Sequence, residues 1–311
     1  MRLLLLANVC VSVCATVIGV DFGSDWLKIA VIRPGGVLET VLNRESKRKT
    51  HNLLTFRDGI RFFGSDAASL GMRFPQNTFR AVKTLLGKTY LDVAASDFRH
   101  SYPNVMVDRN GRIAFEVENE VYSVEEITAN LLAHAKVQAE IYANITVTGA
   151  VITVPPYFSH FERQAILDAA ELANLRIFAL INDETAVAIN FAMGKKFIEK
   201  EHHVFYDMGA GSTVATAIAF HSAESKVTKK NVLDMEVKAI GYHSTLGGQA
   251  VDVIIQNHLA KEFQTKNTGA LGGKSIFDNT RAMARILMEA NRVKTILSAN
   301  HQVTSSVILI F

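Results

Sequence analysis

The sequence has little cysteine and little net charge. Its two cysteines, Cys10 and Cys14, lie in an N-terminal segment that is expected to be removed, so the mature chain would have neither a disulfide nor a thiolate metal site. The formal net charge of +3 is too small to indicate a nucleic-acid or anionic-membrane partner. Without disulfides the fold must depend on burial of a large core, which is typical of a large α/β unit.

The N-terminus is typical of a secretory signal peptide. Met1 and Arg2 give a short positive start, residues 3–13 are largely apolar, and small residues stand before a cleavage site after Ala15. The apolar run is too short to span a bilayer with its flanks. Residues 1–15 are therefore predicted to be a signal peptide, and no membrane span is expected; the alternative is a buried first strand. We expect entry into the endoplasmic reticulum lumen.

Alternating strand and helix patterns indicate an α/β fold. Capping boxes open helices at Ser123 and Ser159, and a proline-terminated strand lies between these helices at 149–156. A strand at 177–181 precedes a helix predicted over 183–193. This order predicts a mixed, largely parallel sheet covered by helices.

The segment from 53 to 121 has a more mixed pattern. It predicts a strand at 61–63, helical stretches near Ala67 and Thr78, and an alternating pair of strands around Val105 and Phe115. A sequon, Asn-Ile-Thr, makes Asn144 a candidate glycosylation site.

One pattern occurs twice and carries the chemistry. VIGVDFGS (17–24) and VFYDMGAGST (204–213) each combine an apolar strand, an aspartate at its end, then glycine and hydroxyl residues. Glycines let a backbone approach a phosphate, and successive N–H groups bind its oxygens. The aspartates, Asp21 and Asp207, suit the water shell of Mg²⁺. The repeat therefore predicts two hairpins facing each other across a phosphate-binding cleft.

A third glycine site, Gly247-Gly248, precedes a helix predicted over 249–263. Its N–H groups would add to phosphate binding at a helix N-terminus. The charged stretch 195–203 is interpreted as the connection between lobes. The predicted division is lobe I at 16–196, with an upper subdomain at about 51–122, and lobe II at 197–311, with an upper subdomain from about 246.

Three motifs in the middle of the chain complete a family pattern. VITVPPYF (151–158), INDETA (181–186) and DMGAG (207–211) have the order and spacing seen in the nucleotide-binding domains of the heat-shock seventy-kilodalton chaperones, and the resemblance runs from about residue 17 to about 300. It implies an actin-like (ribonuclease-H-like, duplicated) bilobal α/β fold that holds ATP or ADP with Mg²⁺ between its lobes.

The resemblance also implies roles for particular residues. Asp21 and Asp207 match the ligands of the magnesium waters, and Asp183 stands where the family has a glutamate that organises those waters, so Asp207 and Asp183 are the candidate catalytic residues. Pro155 and Arg163 match the pair that relays nucleotide state. The candidate nucleotide-binding positions are Gly23, Ser24, Asp25, Trp26, Gly209, Ala210, Gly211, Ser212, Gly247 and Gly248, with Asn291, Lys294 and Ser298 on a helix beside the adenosine.

The chain also departs from the family pattern. Asp25 replaces a hydroxyl residue, Val214 an acidic one, and Thr295 an arginine that stacks on adenine. A lysine that reaches the γ-phosphate is expected after Gly64; residues 65–69 contain none, and the next lysine is Lys83. Losing one preorganised stabiliser typically costs ~10²–10³ in turnover, so these losses predict binding with poor hydrolysis.

NRESKRKT (43–50) and EANRVKTILSAN (289–300) resemble the large lumenal branch of the family in particular. That resemblance implies a chaperone that holds unfolded clients and exchanges nucleotide on the lumenal seventy-kilodalton chaperone. The family pattern ends after Asn300, and the apolar terminus 305–311 is interpreted as a truncated product or incomplete gene model, or alternatively as a genuine strand.

Three functions stay open on the sequence alone. The first is a chaperone module that binds ATP with little turnover. The second is a working ATPase in which Lys49 or Lys83 substitutes for the missing lysine. The third is a small-molecule kinase on the same scaffold, for which no catalytic-base motif is found.

Overall fold

The computed structural model describes residues 15–33, 36–224 and 231–306. The strands are β1 (Ala15–Phe22), β2 (Trp26–Ile32), β3 (Leu38–Thr40), β4 (Thr50–His51), β5 (Leu54–Arg57), β6 (Ile60–Phe63), β7 (Thr78–Phe79), β8 (Val105–Arg109), β9 (Arg112–Val117), β10 (Glu120–Ser123), β11 (Thr146–Val154), β12 (Arg176–Asn182), β13 (Glu201–Met208), β14 (Thr213–Glu224) and β15 (Asn231–His243). The helices are α1 (Gly64–Gly71), α2 (Val93–Ser101), α3 (Val124–Ala143), α4 (His160–Leu172), α5 (Asp183–Ala192), α6 (Gly248–Lys266), α7 (Thr268–Leu271) and α8 (Thr280–Leu297).

A mixed sheet forms the centre of the first half of the chain. Its strand order in the described residues is β12-β11-β1-β2-β3, with β4 paired to β2. β1 runs parallel to β11, and β11 parallel to β12, whereas β1 and β2 form an antiparallel hairpin. The carboxyl ends of β1, β11 and β12 therefore meet at one edge of the sheet, and the residues that follow them are brought together there.

Helices α3 and α4 pack together and contribute to the core beside this sheet. Both begin at the predicted capping boxes, in which Ser123 and Ser159 accept hydrogen bonds from backbone N–H groups and Glu126 and Glu162 accept bonds from the capping residues. Such a cap stabilises a helix by about 1 kcal/mol.

The upper part of this half consists of two small antiparallel sheets, β6-β5-β7 and β10-β9-β8, with α1 and α2. Their buried side chains, such as Phe79 and Phe115, belong to the same hydrophobic cluster as Ile18 and Ile152 of the central sheet. The predicted lobe I therefore has one continuous core.

The second half has two smaller cores. Phe197, Ile218 and Phe220 of the β13-β14-β15 region pack with Ala188 and Ala192 of α5. A separate cluster joins α6 and α8, with Ala260 and Ile286 among its buried members. Helix α5 is thus shared, because it follows β12 of the central sheet and yet packs into the core of the second half.

Two details differ from the sequence predictions. Thr78 lies in the short strand β7 between two 3-10 turns, Pro75–Asn77 and Val82–Leu85, and not in a helix. The helix prediction failed because Thr78 pairs with Thr55 of β5, a long-range contact that local propensity does not reveal. Helix α5 ends at Ala192, one residue before the predicted end.

The predicted signal peptide lies outside the described residues except for Ala15, the first residue of β1. Among the helices described here, none combines the length and apolar composition that a membrane span requires. The predicted glycosylation site, Asn144, is exposed at the end of α3 in a left-handed conformation with φ of 52°.

Candidate functional site

The two predicted phosphate loops face each other. The first follows β1 and the second follows β13, and they approach so closely that a Cβ added to Gly211 would lie 2.6 Å from Oγ of Ser24. A Cβ on Gly23 would lie 2.5 Å from the carbonyl oxygen of Trp26. Because that oxygen belongs to the backbone, the first turn requires glycine at position 23. At Gly211 the Ser24 hydroxyl can rotate away, but Cβ of Ser24, 3.1 Å from the added atom, would still be in tight contact.

Between the loops lies a cleft of about 470 Å³. It is lined by five carboxylates, two lysines, both loops and parts of β11 and α5. The lining residues used below are Asp21, Gly23, Ser24, Asp25, Trp26, Lys28, Lys83, Thr153, Pro155, Asp183, Glu184, Asp207, Gly209, Ala210, Gly211, Ser212 and Val214. The structure thus brings together the predicted acidic residues and the residues of both predicted loops.

Lys83 is one of the two lysines considered as a substitute for the lysine that is absent after Gly64. Its side chain is buried and lines the cleft, and its Nζ donates a 2.6 Å hydrogen bond to the carbonyl oxygen of Phe22. Burial lowers the pKa of Lys83, while the negative charges of Asp183 and Asp21 act in the opposite direction. Lys83 reaches this position from a 3-10 turn far along the chain from Gly64, where a lysine was expected.

Lys28 supplies a second positive charge. It forms an ion pair with Asp21 at 2.6 Å, but both side chains are more than 40% exposed, so the pair contributes little stability by itself. Lys49, the other lysine considered from the sequence, instead places its Nζ 4.1 Å from the centre of the Trp26 ring. Of Lys49 and Lys83, the two lysines considered as substitutes, Lys83 is the one that lines the cleft.

The carboxylates repel one another. Burial, followed by the charges of Asp183 and Asp207, raises the pKa of Glu184 to about 7, although a backbone hydrogen bond and Lys83 act in the opposite direction. Burial and the charges of Asp183 and Asp21 also raise the pKa of Asp207. The cleft therefore has an excess of negative charge that a cation would neutralise.

The side chains present fit a hydrated Mg²⁺ ion and a phosphate chain. Within the described ranges, no three His, Cys, Asp or Glu side chains are arranged to chelate a metal directly. Mg²⁺ usually keeps several waters and needs only one or two carboxylates, which Asp21 and Asp207 could provide. Glu184 Oε2 and Thr153 Oγ1 are buried without a hydrogen-bond partner in the structure and both residues line the cleft, as expected where a polar ligand binds.

The predicted relay residues are physically connected. Pro155 lines the cleft, and its carbonyl oxygen accepts a hydrogen bond from the N–H of Phe158. Arg163 donates through Nε to the carbonyl oxygen of Phe158 and through Nη2 to Oδ1 of Asn182, each at 2.9 Å. Because Asn182 directly precedes Asp183, the arginine joins the proline turn to the start of α5.

An aromatic contact links the same turn to the second lobe. Tyr157 stacks on Tyr242 of β15, with ring centres 4.8 Å apart and an angle of 19° between the rings. Burial raises the pKa of Tyr157, while a hydrogen bond with the Ser212 side chain acts in the opposite direction. Tyr157 therefore contacts both the sheet and the phosphate loop of lobe II.

The third glycine site packs directly on the second loop. The N–H groups of Gly248 and Gln249 donate to the carbonyl oxygens of Gly209 and Ala210 at 3.0 and 2.8 Å. A Cβ on Gly247 would lie 2.5 Å from the carbonyl oxygen of Ala210. The start of α6 thus supports the loop, and those two N–H groups are already used by protein acceptors and not left for phosphate.

The predicted adenosine residues lie behind this turn. Lys294 donates to the carbonyl oxygen of Gly248 and to Oδ2 of Asp252, at 3.0 and 2.8 Å, and Asn291 donates to the same carboxylate oxygen. Ser298 is exposed at the end of α8 and donates to the carbonyl oxygen of Thr295. In the part of the chain that the structure describes, none of Asn291, Lys294 and Ser298 lines the cleft.

Sequence reasoning missed several residues that shape the site. Asn52 is buried, donates through Nδ2 to the carbonyl oxygen of Gly23 and through its backbone N–H to that of Asp25, and so fixes the first loop. No sequence pattern singles it out. Trp26 was among the predicted nucleotide-binding positions, and the structure adds His51, whose ring centre lies 3.8 Å from that of Trp26.

Comparison with known proteins identifies the class to which this fold and cleft belong. Residues 17–310 match the Hsp70 protein family, and the chain belongs to that family. Its fold is the actin-like nucleotide-binding domain of Hsp70, an ATP-binding domain. The predicted family and fold are confirmed, but the match continues to residue 310, so the expectation that the family pattern ends after Asn300 was wrong.

Several similar curated proteins carry the name hypoxia up-regulated protein 1. The chain is 35% identical to that of Danio rerio over 298 residues (94% of this chain, 30% of the relative), 36% identical to that of Xenopus laevis (92% and 45%), and 35% identical to that of Homo sapiens (91% and 29%). It therefore spans less than half the length of these relatives.

Proposed function

We propose that the chain binds ATP or ADP with Mg²⁺ and acts as the nucleotide-binding module of an endoplasmic-reticulum chaperone. The observation that carries the proposal is the meeting of the two Asp-x-Gly loops, with Lys83 and the carboxylates Asp21, Asp183 and Asp207 between them. Backbone N–H groups of both loops would hold phosphate oxygens, and Asp21 and Asp207 would accept hydrogen bonds from metal-bound waters.

Bound Mg²⁺ would supply positive charge to the phosphate oxygens. The residues of the chain would place a second positive charge and orient water. Lys83 holds an ammonium group in a fixed place because Phe22 accepts its hydrogen bond and the surrounding core limits its motion. Asp183, at the start of α5, is held near the cleft by the Arg163–Asn182 hydrogen bond, so it can orient water through its carboxylate.

The position of Lys83 favours a second candidate function, hydrolysis of the bound ATP. Val214 and Thr295 still replace an acidic residue and an arginine of the family pattern. A buried ammonium group beside a phosphate chain stabilises developing negative charge, and such groups contribute roughly 10²–10³ to turnover. We therefore propose slow hydrolysis that depends on Lys83 and not on Lys49.

Nucleotide binding can be measured directly because the single tryptophan, Trp26, lies in the cleft. Titration with Mg·ATP and Mg·ADP should change its fluorescence saturably, whereas unchanged fluorescence together with no heat in calorimetry would refute the proposed function. In single-turnover assays Lys83→Ala should lower hydrolysis at least ~10²-fold and Lys49→Ala should leave it near the wild-type rate. Equal rates in all three proteins would reject the role of Lys83.

The wider role rests on the similar proteins and on the N-terminal segment. We propose entry into the lumen by cleavage after Ala15, glycosylation of the exposed Asn144, and, for the whole protein, holding of unfolded clients and nucleotide exchange on the lumenal seventy-kilodalton chaperone. In cells, a glycosidase-sensitive mobility shift that disappears in Asn144→Gln would support both lumenal entry and the glycan. A cytosolic chain that keeps residues 1–15 would refute the localisation. Transfer of phosphate to a small acceptor would instead favour the kinase alternative.

A further inference from the structure

Glu184 is a buried carboxylate that the protein leaves partly unsatisfied. The residue is only 3% exposed, on the first turn of α5, and it lines the cleft. Its Oε2 has no hydrogen-bond partner within the described structure. Because a buried charged oxygen without a partner is costly, such an atom indicates a missing polar ligand.

The neighbouring polar groups indicate the sign of that ligand. The cleft is lined by two ammonium groups and five carboxylates, those of Lys28 and Lys83 and of Asp21, Asp25, Asp183, Glu184 and Asp207. Lys28 is paired with Asp21, and Lys83 donates to the carbonyl oxygen of Phe22. With all these groups ionised, the carboxylates outnumber the ammonium groups, and the ligand that restores neutrality is a cation.

A second unsatisfied oxygen lies at the same edge of the sheet. Thr153 Oγ1 is buried without a partner among the described residues, and Thr153 also lines the cleft. In the β11–β12 register Thr153 lies beside Ile181, close in sequence to Asp183 and Glu184. Two unpartnered oxygens, one of a carboxyl group and one of a hydroxyl group, thus lie where β11 and β12 end. Oxygen ligands are what Mg²⁺ and similar hard cations prefer.

We propose that Glu184 gives this cleft an intrinsic site for one hydrated divalent cation, which binds before any nucleotide. Glu184 accepts hydrogen bonds from the waters of the ion together with Asp183 and Asp207. The ion keeps its waters, because no three carboxylates in the described ranges are arranged for direct chelation. The inference deepens the proposed nucleotide site and rests on it for the location of the ion.

The test uses Mn²⁺ as the probe and the full chain without nucleotide. Electron paramagnetic resonance titration should show one Mn²⁺ site in the wild type that Mg²⁺ displaces. Glu184→Gln, which preserves the shape of the side chain, should weaken Mn²⁺ binding about ten-fold or more, since loss of an outer-sphere partner typically costs 10–100-fold in metal affinity. Glu262→Gln is the matched control, because Glu262 is an exposed carboxylate on α6 that pairs with Lys266 away from the cleft.

Two further measurements keep the outcomes distinct. The melting temperature of the wild type should rise with Mn²⁺, and that of Glu184→Gln should rise less at equal concentration; if Glu184→Gln does not fold, the shorter Glu184→Asp is titrated in its place and should also bind more weakly. A folded variant that binds Mn²⁺ as tightly as the wild type, or a wild type without a displaceable site, overturns the inference. Normal Mn²⁺ binding with neither a response of Trp26 to ATP nor heat in calorimetry would refute the proposed nucleotide function and leave the cation site standing.

Discussion

Adding one methyl group at Gly211 should separate the two phosphate loops. In Gly211→Ala the new Cβ would lie 2.6 Å from Oγ and 3.1 Å from Cβ of Ser24. The hydroxyl can rotate away, but Cβ of Ser24 is fixed to the backbone. Because carbon atoms prefer a separation of 3.5–4.0 Å, the loops must move apart by roughly 0.5–1 Å.

The cost of that movement can be worked out from known packing effects. Extra methyl groups in tight contacts typically cost about 1–3 kcal/mol. If the phosphates require both loops in their present positions, this cost appears in nucleotide binding, and each 1.4 kcal/mol weakens affinity about ten-fold. We therefore expect Gly211→Ala to bind Mg·ATP about 5- to 150-fold more weakly than the wild type, as measured by calorimetry.

A double-mutant cycle isolates the contact. Ser24→Gly removes both atoms that the new methyl group meets, so Ser24→Gly/Gly211→Ala should bind more tightly than the two single effects predict, with a coupling of about 0.5–3 kcal/mol. Gly269→Ala is the control, because nothing lies within 4 Å of its added Cβ. Affinity of Gly211→Ala within two-fold of the wild type, or a coupling of zero, would refute the reasoning.

Two other predictions concern pH and the contact between the lobes. His134 stacks on Phe63 with ring centres 4.4 Å apart, and burial lowers the pKa of His134 to about 4. Between this value and the ordinary pKa of about 6.5, the unfolded chain binds a proton that the folded chain excludes. The free energy of unfolding should therefore fall by at most roughly 3 kcal/mol as the pH drops from about 6.5 to 4. Urea unfolding should show this loss in the wild type and much less of it in His134→Leu, and equal pH dependence in both would contradict the prediction. Removing the Tyr157 stack with Tyr242→Ala should speed release of bound nucleotide about 2- to 12-fold in stopped-flow fluorescence, since an aromatic pair contributes about 0.5–1.5 kcal/mol. The exposed Tyr206, on β13 of the same sheet, offers Tyr206→Ala as the control, and equal acceleration by both variants would show that the stack has no special role.

The features that the sequence predicted well are those specified by short segments. The duplicated strand, aspartate and glycine pattern located both loops, because the strand length and the glycine together determine where the aspartate and the turn lie. The boxes at Ser123 and Ser159 located two helix starts for the same reason, since each cap is completed within four residues.

The features that escaped prediction depend on contacts between distant segments. Lys83 enters the cleft because Ala81, with φ of 56°, turns the chain before the 3-10 turn, and because Phe22 accepts its hydrogen bond across 61 positions of sequence. Asn52 and the Tyr157–Tyr242 stack likewise arise from tertiary packing. The residues around Gly64 carry no information about this contact, which forms only in the folded chain.

Helix α5 connects two carboxylates of the cleft rigidly to the core of the second half. Its first turn carries Asp183 and Glu184, while Ala188 and Ala192 further along are locked into the core that contains Phe220. A rotation of lobe II would therefore either move these carboxylates with it or disrupt the packing of that core. The electric field that a bound ion experiences is in this way tied to the angle between the lobes, so that any protein pressing on lobe II from outside would alter how tightly the ion is held.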